Sequence, residues 1–444
     1  MDKSDVQKIK YLILGAGPAG LTFANRLLQA GERDFLVLEA EDEVGGLCRS
    51  KDVDGSPLDI GGGHFLDVRR PQVNEFLFGF MPEEEWDLYD RDSKIHVSDQ
   101  YVDHPLEANI WQMDEAHQAE YLDSISKAGC VLGEEMPERF VDWIHWKLGE
   151  KISTEYMIPY NSKIFSANLN SLGTYWLDKL PDVSYEDTLE SCREKRPIAK
   201  QPGHARFYYP KKYGYGELWR RMGEKLGDKV LTGCAVTSID FEQKMVTVKS
   251  GEKYSADCII TTIPWTSIDV VGMPEELSVN ITKLTHSSVR ISYHQENLDT
   301  EAHWIYEPDL TKDYHRILVR HNFCQGSRGY WTETNEERVG KMMDTTQAFA
   351  RDAEPGSNRV LADDCSNQLR DSAGDIFQNQ SWLMEYAYPL NTLGKPEIME
   401  KIISFCQSRE IYPLGRWGEH MHYNSDLVVQ KAMELADGFL DGQI

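Results

Sequence analysis

The first residues with a recognisable chemistry are three glycines and a carboxylate. Gly15, Gly17 and Gly20 follow the G-x-G-x-x-G spacing. In that pattern the first glycine permits a tight turn, the second lets a pyrophosphate approach the backbone, and the third lets a helix pack closely against a strand. Glu39 follows about 20 residues later, where an acidic side chain binds a ribose with a free 2′-hydroxyl. The pattern therefore predicts a dinucleotide site.

The flanking residues predict the elements that position this turn. Residues 8–14 are an apolar run typical of a buried parallel strand, residues 21–28 have helical apolar spacing, and residues 35–38 form a second strand that ends at Glu39. The N–H groups and the positive dipole end of the helix would face the phosphates. The alternative is an ordinary strand–turn–helix with incidental glycines, and a carboxylate in the expected place argues against it.

Two later glycine segments extend the predicted site. Gly45-Gly46-Leu47 lets another backbone segment approach the same ligand, and Arg49 is placed to meet its phosphates. Near the end of the chain, Gly415-Arg416-x-Gly418 precedes a long helix. There one of residues 424–426 is expected to cap the helix, and the helix dipole would stabilise negative charge on a bound cofactor.

Length and composition limit the classes of protein. With 444 residues the chain is expected to form two or three domains, and 41% hydrophobic residues suffice for real cores. A net charge of −26 argues against nucleic acid and against an anionic membrane surface. The eight cysteines contain no C-x-x-C, so no metal site is expected. We expect a cytoplasmic protein without a membrane span, and leave a homo-oligomer open.

The middle of the chain predicts two further structures. Residues 110–180 have helical spacing, and their mixed aromatic and polar residues face either a cleft or another helix. Residues 258–263 predict a buried strand that returns to the first sheet, and residues 265–390 predict an antiparallel sheet that forms the wall of a substrate cleft. An acidic cluster, Glu333, Glu336 and Glu337, is interpreted as a solvated face.

Together these motifs resemble the flavoprotein superfamily of amine oxidases, protoporphyrinogen oxidases and UDP-galactopyranose mutases. The later segments, Pro159-Tyr160-Asn161-x-Lys163, Tyr314-x-Arg316 and Gly415-Arg416-x-Gly418, resemble the mutases in particular. The resemblance implies FAD and an α/β fold, in which a Rossmann-like FAD-binding domain of the GR2 type is interleaved with a helical insert and an antiparallel substrate sheet. The implied bounds are 1–105, 201–265 and 405–444 for the FAD-binding domain, 106–200 for the insert and 266–404 for the substrate domain.

The resemblance also implies the roles of individual residues. The implied catalytic residues are His64, Arg316 and Tyr423. The implied FAD-binding residues are Gly15, Gly17, Ala19, Gly20, Glu39, Ala40, Gly46, Leu47, Arg49, Gly62, Gly63, His64, Val236, Gly415, Arg416, Asn424 and Ser425. The implied substrate-binding residues are Asn161, Lys163, Phe165, Tyr175, Lys179, Tyr314 and Arg316.

The implied activity is that of a mutase on a nucleotide-linked sugar, in which N5 of reduced FAD attacks the anomeric carbon and the sugar exchanges its pyranose and furanose forms. Two positions depart from the family pattern. Lys179 stands where the family has a second phosphate-binding arginine, and Glu107 stands on the uracil side. The alternatives are an FAD oxidase or dehydrogenase that takes hydride from an amine or a sugar-like substrate, and a flavin-binding protein without turnover.

Overall fold

A computed structural model of the chain describes residues 8–177, 180–198, 205–339 and 380–443. The chain folds into two compact units. The first comprises Met1–Asp90, Arg206–His286 and Tyr386–Ile444, and the second comprises Arg91–Ala205 and Ser287–Glu385. The five-part division into domains stays a prediction.

The described helices and strands come mostly in runs of one kind along the chain. The helices are α1 Pro18–Gln29, α2 Pro71–Phe78, α3 Leu106–Asn109, α4 Glu115–Ser126, α5 Gly129–Leu132, α6 Phe140–Ile152, α7 Ile158–Phe165, α8 Tyr185–Glu194, α9 Gly216–Leu226, α10 Glu275–Ile281, α11 Lys395–Gln407, α12 Gly415–Gly418 and α13 Ser425–Leu440. The strands are β1 Lys8–Leu14, β2 Phe35–Leu38, β3 Ser50–Val53, β4 Ser56–Asp59, β5 Leu66–Asp67, β6 Trp86–Asp90, β7 Ser93–Val97, β8 Gln100–Asp103, β9 Arg206–Pro210, β10 Val230–Leu231, β11 Val236–Asp240, β12 Met245–Val248, β13 Lys253–Thr261, β14 Asp269–Val271, β15 His286–His294, β16 Trp304–Tyr306, β17 Arg316–Leu318, β18 Tyr330–Asn335, β19 Ser381–Pro389 and β20 Ile411–Pro413.

The first unit is built on a mixed sheet in the order β10-β2-β1-β13-β12-β11-β14, with β20 also paired to β13. β1 lies at its centre and is parallel to both β2 and β13. Leu12 of β1 is fully buried and pairs with Ile259 of β13, which is also fully buried. Strands covered on both faces are continuous apolar runs. The predicted return of residues 258–263 to the first sheet is confirmed.

The second unit combines helices α3–α8 with a sheet in the order β19-β15-β18-β17-β16-β7-β8. The predicted antiparallel pairing is confirmed for β15, β16, β17 and β18. The sheet is not purely antiparallel, however, because β16 pairs in parallel with β7. β7 and β8 thus join a sheet whose other strands follow about two hundred residues later in the chain, a pairing that local sequence pattern does not reveal.

No helix in the described part of the chain is long and apolar enough to cross a bilayer. The described residues also hold no group of three or more histidine, cysteine, aspartate or glutamate side chains arranged to bind a metal ion. The mixed α/β fold class predicted from the sequence is confirmed.

Candidate active site

The turn after β1 requires glycine at two positions. Gly15 has a φ of +99°, and a Cβ there would lie 2.5 Å from the Thr262 hydroxyl oxygen. A Cβ on Gly20 would lie 1.9 Å from the Gly15 carbonyl oxygen. Because real Cβ atoms do not approach this closely, α1 packs against the turn at a distance that only glycine permits. The fold itself therefore needs both residues, whatever the turn binds.

The helix that follows this turn begins without a side-chain cap. Gly17 holds the N-cap position with no side-chain hydrogen bond, Pro18 is the first helical residue, and the described first turn of α1 contains no acidic side chain. The first N–H groups of any helix lack partners within that helix. This end of α1 therefore presents N–H donors and a partial positive charge, an arrangement that binds phosphate groups.

Glu39 ends β2 beside the same turn. Its Oε2 accepts a 2.6 Å hydrogen bond from the Ala16 N–H, and its Oε1 accepts a 3.0 Å hydrogen bond from the Glu41 N–H. Burial raises the pKa of this carboxyl, and the two N–H donors oppose that rise. Each carboxylate oxygen keeps a second acceptor position. The side chain is thus oriented and still able to receive hydroxyl groups, while the neighbouring Ala40 is exposed.

Two further glycine segments of the first unit approach the start of α1. A Cβ on Gly46 would lie 3.2 Å from the Gly17 Cα, so the two backbones nearly touch. Gly415 has a φ of +77°, and a Cβ there would lie 2.9 Å from the Ala19 Cβ. Backbone from three distant parts of the sequence therefore surrounds the helix end. We call this arrangement the glycine cradle, defined by Gly17, Gly46 and Gly415.

Two arginines predicted to bind the cofactor are held by local contacts at these loops. Arg49 donates from Nε to the Gly46 carbonyl (3.0 Å) and from Nη1 to Glu41 (3.1 Å). Arg416 donates from Nε and Nη2 to the Tyr423 carbonyl at 3.0 and 2.7 Å, and burial lowers the pKa of its guanidinium. Both side chains therefore stabilise the loops around the cradle.

His64 lies in a polar and aromatic network of the first unit. Its Nδ1 is 3.0 Å from the Gly62 carbonyl oxygen, and its ring is nearly parallel to that of Tyr215, with 6.3 Å between centroids and 10° between planes. The Tyr215 N–H donates to Asp59 (3.0 Å), and its hydroxyl is 2.9 Å from the Ser425 hydroxyl. Burial raises the pKa of Asp59 to about 7. The imidazole plane is thereby fixed from two sides.

The segment before α13 holds a second network. The Tyr423 hydroxyl donates to Glu419 Oε2 (3.0 Å), and Lys431 Nζ lies 2.9 Å from the same oxygen. Asn424 occupies the N-cap position of α13, as the sequence predicted for one of residues 424–426, but no side-chain hydrogen bond caps that described helix. The first N–H groups of α13 therefore lack a side-chain cap, as in α1, but its first turn differs from that of α1 in containing the acidic Asp426.

In the second unit the central feature is Lys163, whose residue is 0% exposed. Its Nζ donates to the carbonyls of Glu307 (2.8 Å) and Asp309 (2.7 Å) and lies 5.7 Å from the centre of the Tyr314 ring. Burial lowers the pKa of this amine to about 7. The neutral amine has two N–H donors, which match the two carbonyls.

Arg316 carries its charge beside a buried acid. It donates from Nε to Glu333 Oε2 (2.9 Å) and forms an ion pair with the same oxygen through Nη2. Glu333 is 1% exposed and lies directly opposite Arg316 on the neighbouring strand. The prediction that Glu333, Glu336 and Glu337 share a solvated face is therefore wrong for Glu333. Burial is the main cause that lowers the pKa of His315 to about 4, and the charges of Arg316 and Lys163 lower it further.

Comparison with known proteins identifies the family to which the chain belongs. The model of the family described as flavin containing amine oxidoreductase matches residues 18–271. The chain belongs to this family. It is therefore an FAD-dependent enzyme.

Similarity to individual members is local in sequence and global in fold. The chain is 57% identical to putrescine oxidase from Kocuria rosea over 51 residues, 12% of this chain and 10% of that protein. It is 38% identical to coproporphyrinogen III oxidase from Mycobacterium tuberculosis over 69 residues, 15% of each chain. The chain thus matches only a small part of the length of these relatives. A crystal structure of reduced UDP-galactopyranose mutase superposes with a TM-score of 0.80 at 23% identity, covering 98% of this chain and 94% of that one.

The residues of this flavoenzyme fit its cofactor. In the glycine cradle a Cβ on Gly17 would find only the Gly46 Cα, at 3.9 Å, so a pyrophosphate can approach the backbone there. The uncapped end of α1 supplies donors for that group, and Glu39 supplies acceptors for a ribose. The contacts of individual residues with FAD stay predictions, including those of Leu47, Gly63 and Val236.

The predicted substrate residues other than Lys163, Tyr314 and Arg316 differ in exposure. Asn161 donates to the Met157 carbonyl (2.7 Å) within its own helix, and Phe165 is buried with its ring edge-on to Trp176. Tyr175 is 40% exposed. Lys179 lies outside the described residues. Their contacts with a substrate stay predictions.

The sequence interpretation missed the two side chains that most alter the charge of the second unit. One is Glu333, which forms an ion pair with Arg316. The other is Arg338, which is 5% exposed and follows β18 in a short helical turn, Glu336–Arg338. No alternation marks Glu333, because every residue of β18 after Tyr330 is buried. No motif marks Arg338, because its burial depends on packing against elements far away in sequence.

Proposed function

We propose that this flavoenzyme acts on a nucleotide-linked sugar and interconverts its pyranose and furanose forms, in the biosynthesis of a polysaccharide or glycoconjugate. The similarity of fold to UDP-galactopyranose mutase extends over nearly the whole of both chains and supports this reading. The fold alone does not select a substrate, because related folds host different reactions. The choice of a nucleotide-linked substrate rests on the charged side chains of the second unit.

The observation that carries the proposal is the cation cluster of the second unit. The charges of Lys163 and Arg316 both act on the buried His315, in a chain whose net charge is −26, and Glu333 offsets part of the charge of Arg316. Tyr314 lies against Lys163. Cations held against aromatic rings suit the phosphates and planar base of a nucleotide, because a guanidinium or ammonium group pairs with phosphate oxygens. An amine substrate is itself a cation and would be repelled by the same groups.

Reduced FAD, when bound, supplies a nucleophile for the anomeric carbon of the sugar. The glycine cradle and Glu39 bind and orient the dinucleotide part. His64 holds its imidazole plane through Gly62 and Tyr215 and is predicted to lie against the flavin ring. Arg316 and Lys163 bind the nucleotide diphosphate, and a cation beside that group stabilises it as it departs with negative charge.

The test is conversion of substrate by the reduced holoenzyme. We expect UDP-galactopyranose or a dTDP-linked sugar to yield the furanose form, separated by chromatography, with no consumption of oxygen per turnover. The oxidised holoenzyme is the control and is expected to be inactive. Absence of conversion across a panel of nucleotide sugars, with FAD fully reduced, would contradict the proposal.

The family match favours a second candidate, an FAD oxidase or dehydrogenase that takes hydride from an amine or a sugar-like substrate. The relative with 57% local identity is a putrescine oxidase. An oxidase bleaches its flavin when substrate is added without oxygen, and it produces peroxide when oxygen is returned. A panel of amines and sugar alcohols that gives either signal would replace the first proposal with this one.

A further inference from the structure

The structure holds a buried arginine whose surroundings point to a ligand. Arg338 ends the helical turn that follows β18. Asn335 fixes this turn, because its Oδ1 accepts from the Glu337 N–H (3.0 Å) and its Nδ2 donates to the Ile164 carbonyl of α7 (2.8 Å). The turn is thereby fastened to the helix that carries Lys163. Burial lowers the pKa of Lys163, and the charge of Arg338 in the adjoining turn lowers it further.

One edge of the Arg338 guanidinium faces the interior without an acceptor. Among the residues that the structure describes, neither Nε nor Nη2 has a hydrogen-bond partner, although both are buried. Nε and Nη2 form the edge with which arginine binds two oxygens of one anion. Arg290 uses this edge on Glu336, and Arg220 uses it on Glu217 with distances of 2.7 and 2.8 Å.

The neighbouring arginine of the cluster is differently placed. Arg316 already pairs with buried Glu333, which offsets its charge. Around Arg338 the acidic group that raises its pKa is Asp313, and burial outweighs that effect and lowers the pKa. Burying a charged donor without an acceptor is costly. A ligand that supplies two oxygens and negative charge would remove that cost.

We propose that Arg338, together with Lys163, forms the anion receptor of the second unit and binds the diphosphate of the substrate through its Nε–Nη2 edge. The inference rests on the proposed function for the identity of the ligand, a nucleoside diphosphate group. It assigns to Arg338 the second cationic contact, which sequence resemblance had placed at Lys179. A diphosphate suits two adjacent cations better than a single carboxylate does, because it carries more than one negative charge.

The test measures binding to the oxidised holoenzyme by calorimetry, with UDP, inorganic pyrophosphate and uridine as probes. In Arg338→Gln we expect the affinity for UDP and for pyrophosphate to fall roughly 10- to 100-fold, since a charge-assisted contact is lost, and uridine binding to stay unchanged. Arg338→Lys should recover part of the loss. Arg290→Gln removes a cation from the outer side of the same turn and is expected to leave all three affinities unchanged.

The outcomes separate this inference from the proposed function. If UDP binds tightly and Arg338→Gln leaves its affinity unchanged, the inference is wrong and the function stands. If pyrophosphate binds through Arg338 and no nucleoside diphosphate adds to that affinity, the anion receptor stands and the nucleotide-sugar function falls. Thermal melting controls for folding: Arg338→Gln is expected to melt no lower than the native enzyme, because it removes an unpaired buried charge. A large fall in melting temperature would show that Arg338 stabilises the fold, and would overturn the inference.

Discussion

Replacing Gly17 by alanine separates the demands of the fold from those of the cofactor. A Cβ at position 17 would meet nothing closer than the Gly46 Cα at 3.9 Å, an ordinary contact. The backbone there, with φ −78° and ψ −175°, is open to any residue. Alanine stabilises the fold by reducing the conformational freedom of the unfolded chain, and destabilises it because it is a poorer N-cap residue than glycine. We therefore expect the stability of the apoprotein to change by less than about 1 kcal/mol.

The effect of the same methyl group on FAD should be large. The methyl group occupies the space through which a pyrophosphate reaches the N–H donors of α1. Loss of two charge-assisted hydrogen bonds, each worth about 1.5–3 kcal/mol, weakens binding by roughly two to four orders of magnitude. Titration of apoprotein with FAD, followed by flavin fluorescence, measures the affinity, and thermal melting of the apoprotein measures stability.

Two glycine variants serve as controls. Gly20→Ala places a Cβ 1.9 Å from the Gly15 carbonyl oxygen and should prevent normal folding. Gly31→Ala meets no atom within 4 Å but has a φ of +91°, so it should lower stability by about 1 kcal/mol without changing FAD affinity. A Gly17→Ala protein that binds FAD as tightly as the native chain would refute the cradle as the pyrophosphate site.

Three further predictions concern titratable groups. The pKa of Asp59 is raised from 3.8 to about 7, so between these pH values the folded protein keeps a proton that the unfolded chain has lost. The free energy of unfolding should therefore fall, relative to that of Asp59→Asn, as the pH rises from about 4 to about 7, by up to ~1.4 kcal/mol per pKa unit. Urea unfolding across that pH range measures the effect. Glu333→Gln weakens the pairing of the Arg316 guanidinium and should lower the free energy of unfolding by about 1–3 kcal/mol. Glu336→Gln, at the more exposed Arg290 pair, should lower it by about 0–1 kcal/mol. Equal losses of stability in the two variants would contradict the assigned burial. Lys163 faces Glu307, Asp309, Asp313 and Arg338, and its amine has a pKa of about 7. Binding of UDP near pH 8 should therefore be accompanied by uptake of a proton. Calorimetry in different buffers detects this uptake as a buffer-dependent heat, and Lys163→Met should abolish it.

The cofactor half of the chain could be predicted because its signals are local. The turn at Gly15 and Gly20 is encoded within a few residues, and the apolar composition of residues 258–263 is enough to predict a buried strand. A residue with a positive φ, or one whose backbone lies too close to another segment to leave room for a Cβ, is normally glycine. Such constraints can be read from the sequence without knowing what packs against them.

The substrate half could not be predicted to the same depth, because its chemistry arises from pairings across the sequence. Glu333 looks like a surface residue until β17 and β18 are aligned and Arg316 is found opposite it. β7 enters its sheet beside β16, far away in the chain. Arg338 is buried in a turn that Asn335 joins to α7 through a hydrogen bond to Ile164. Register between distant strands decides these contacts, and local pattern does not determine it.

Charge in the second unit separates the two candidate functions more sharply than the fold does. Lys163 and Arg338 are buried basic side chains of the same unit, and Lys163 lies on carbonyl groups rather than on a carboxylate. An ammonium substrate at about 4 Å from one such charge would be repelled by about 4 kcal/mol at an effective dielectric constant of about 20, whereas a phosphate would be attracted by a similar amount. An amine oxidase would need an acidic group in place of this pair. The buried acids Glu333 and Glu307 already pair with Arg316 and Lys312 and do not meet that need, so the balance of charge favours an anionic substrate.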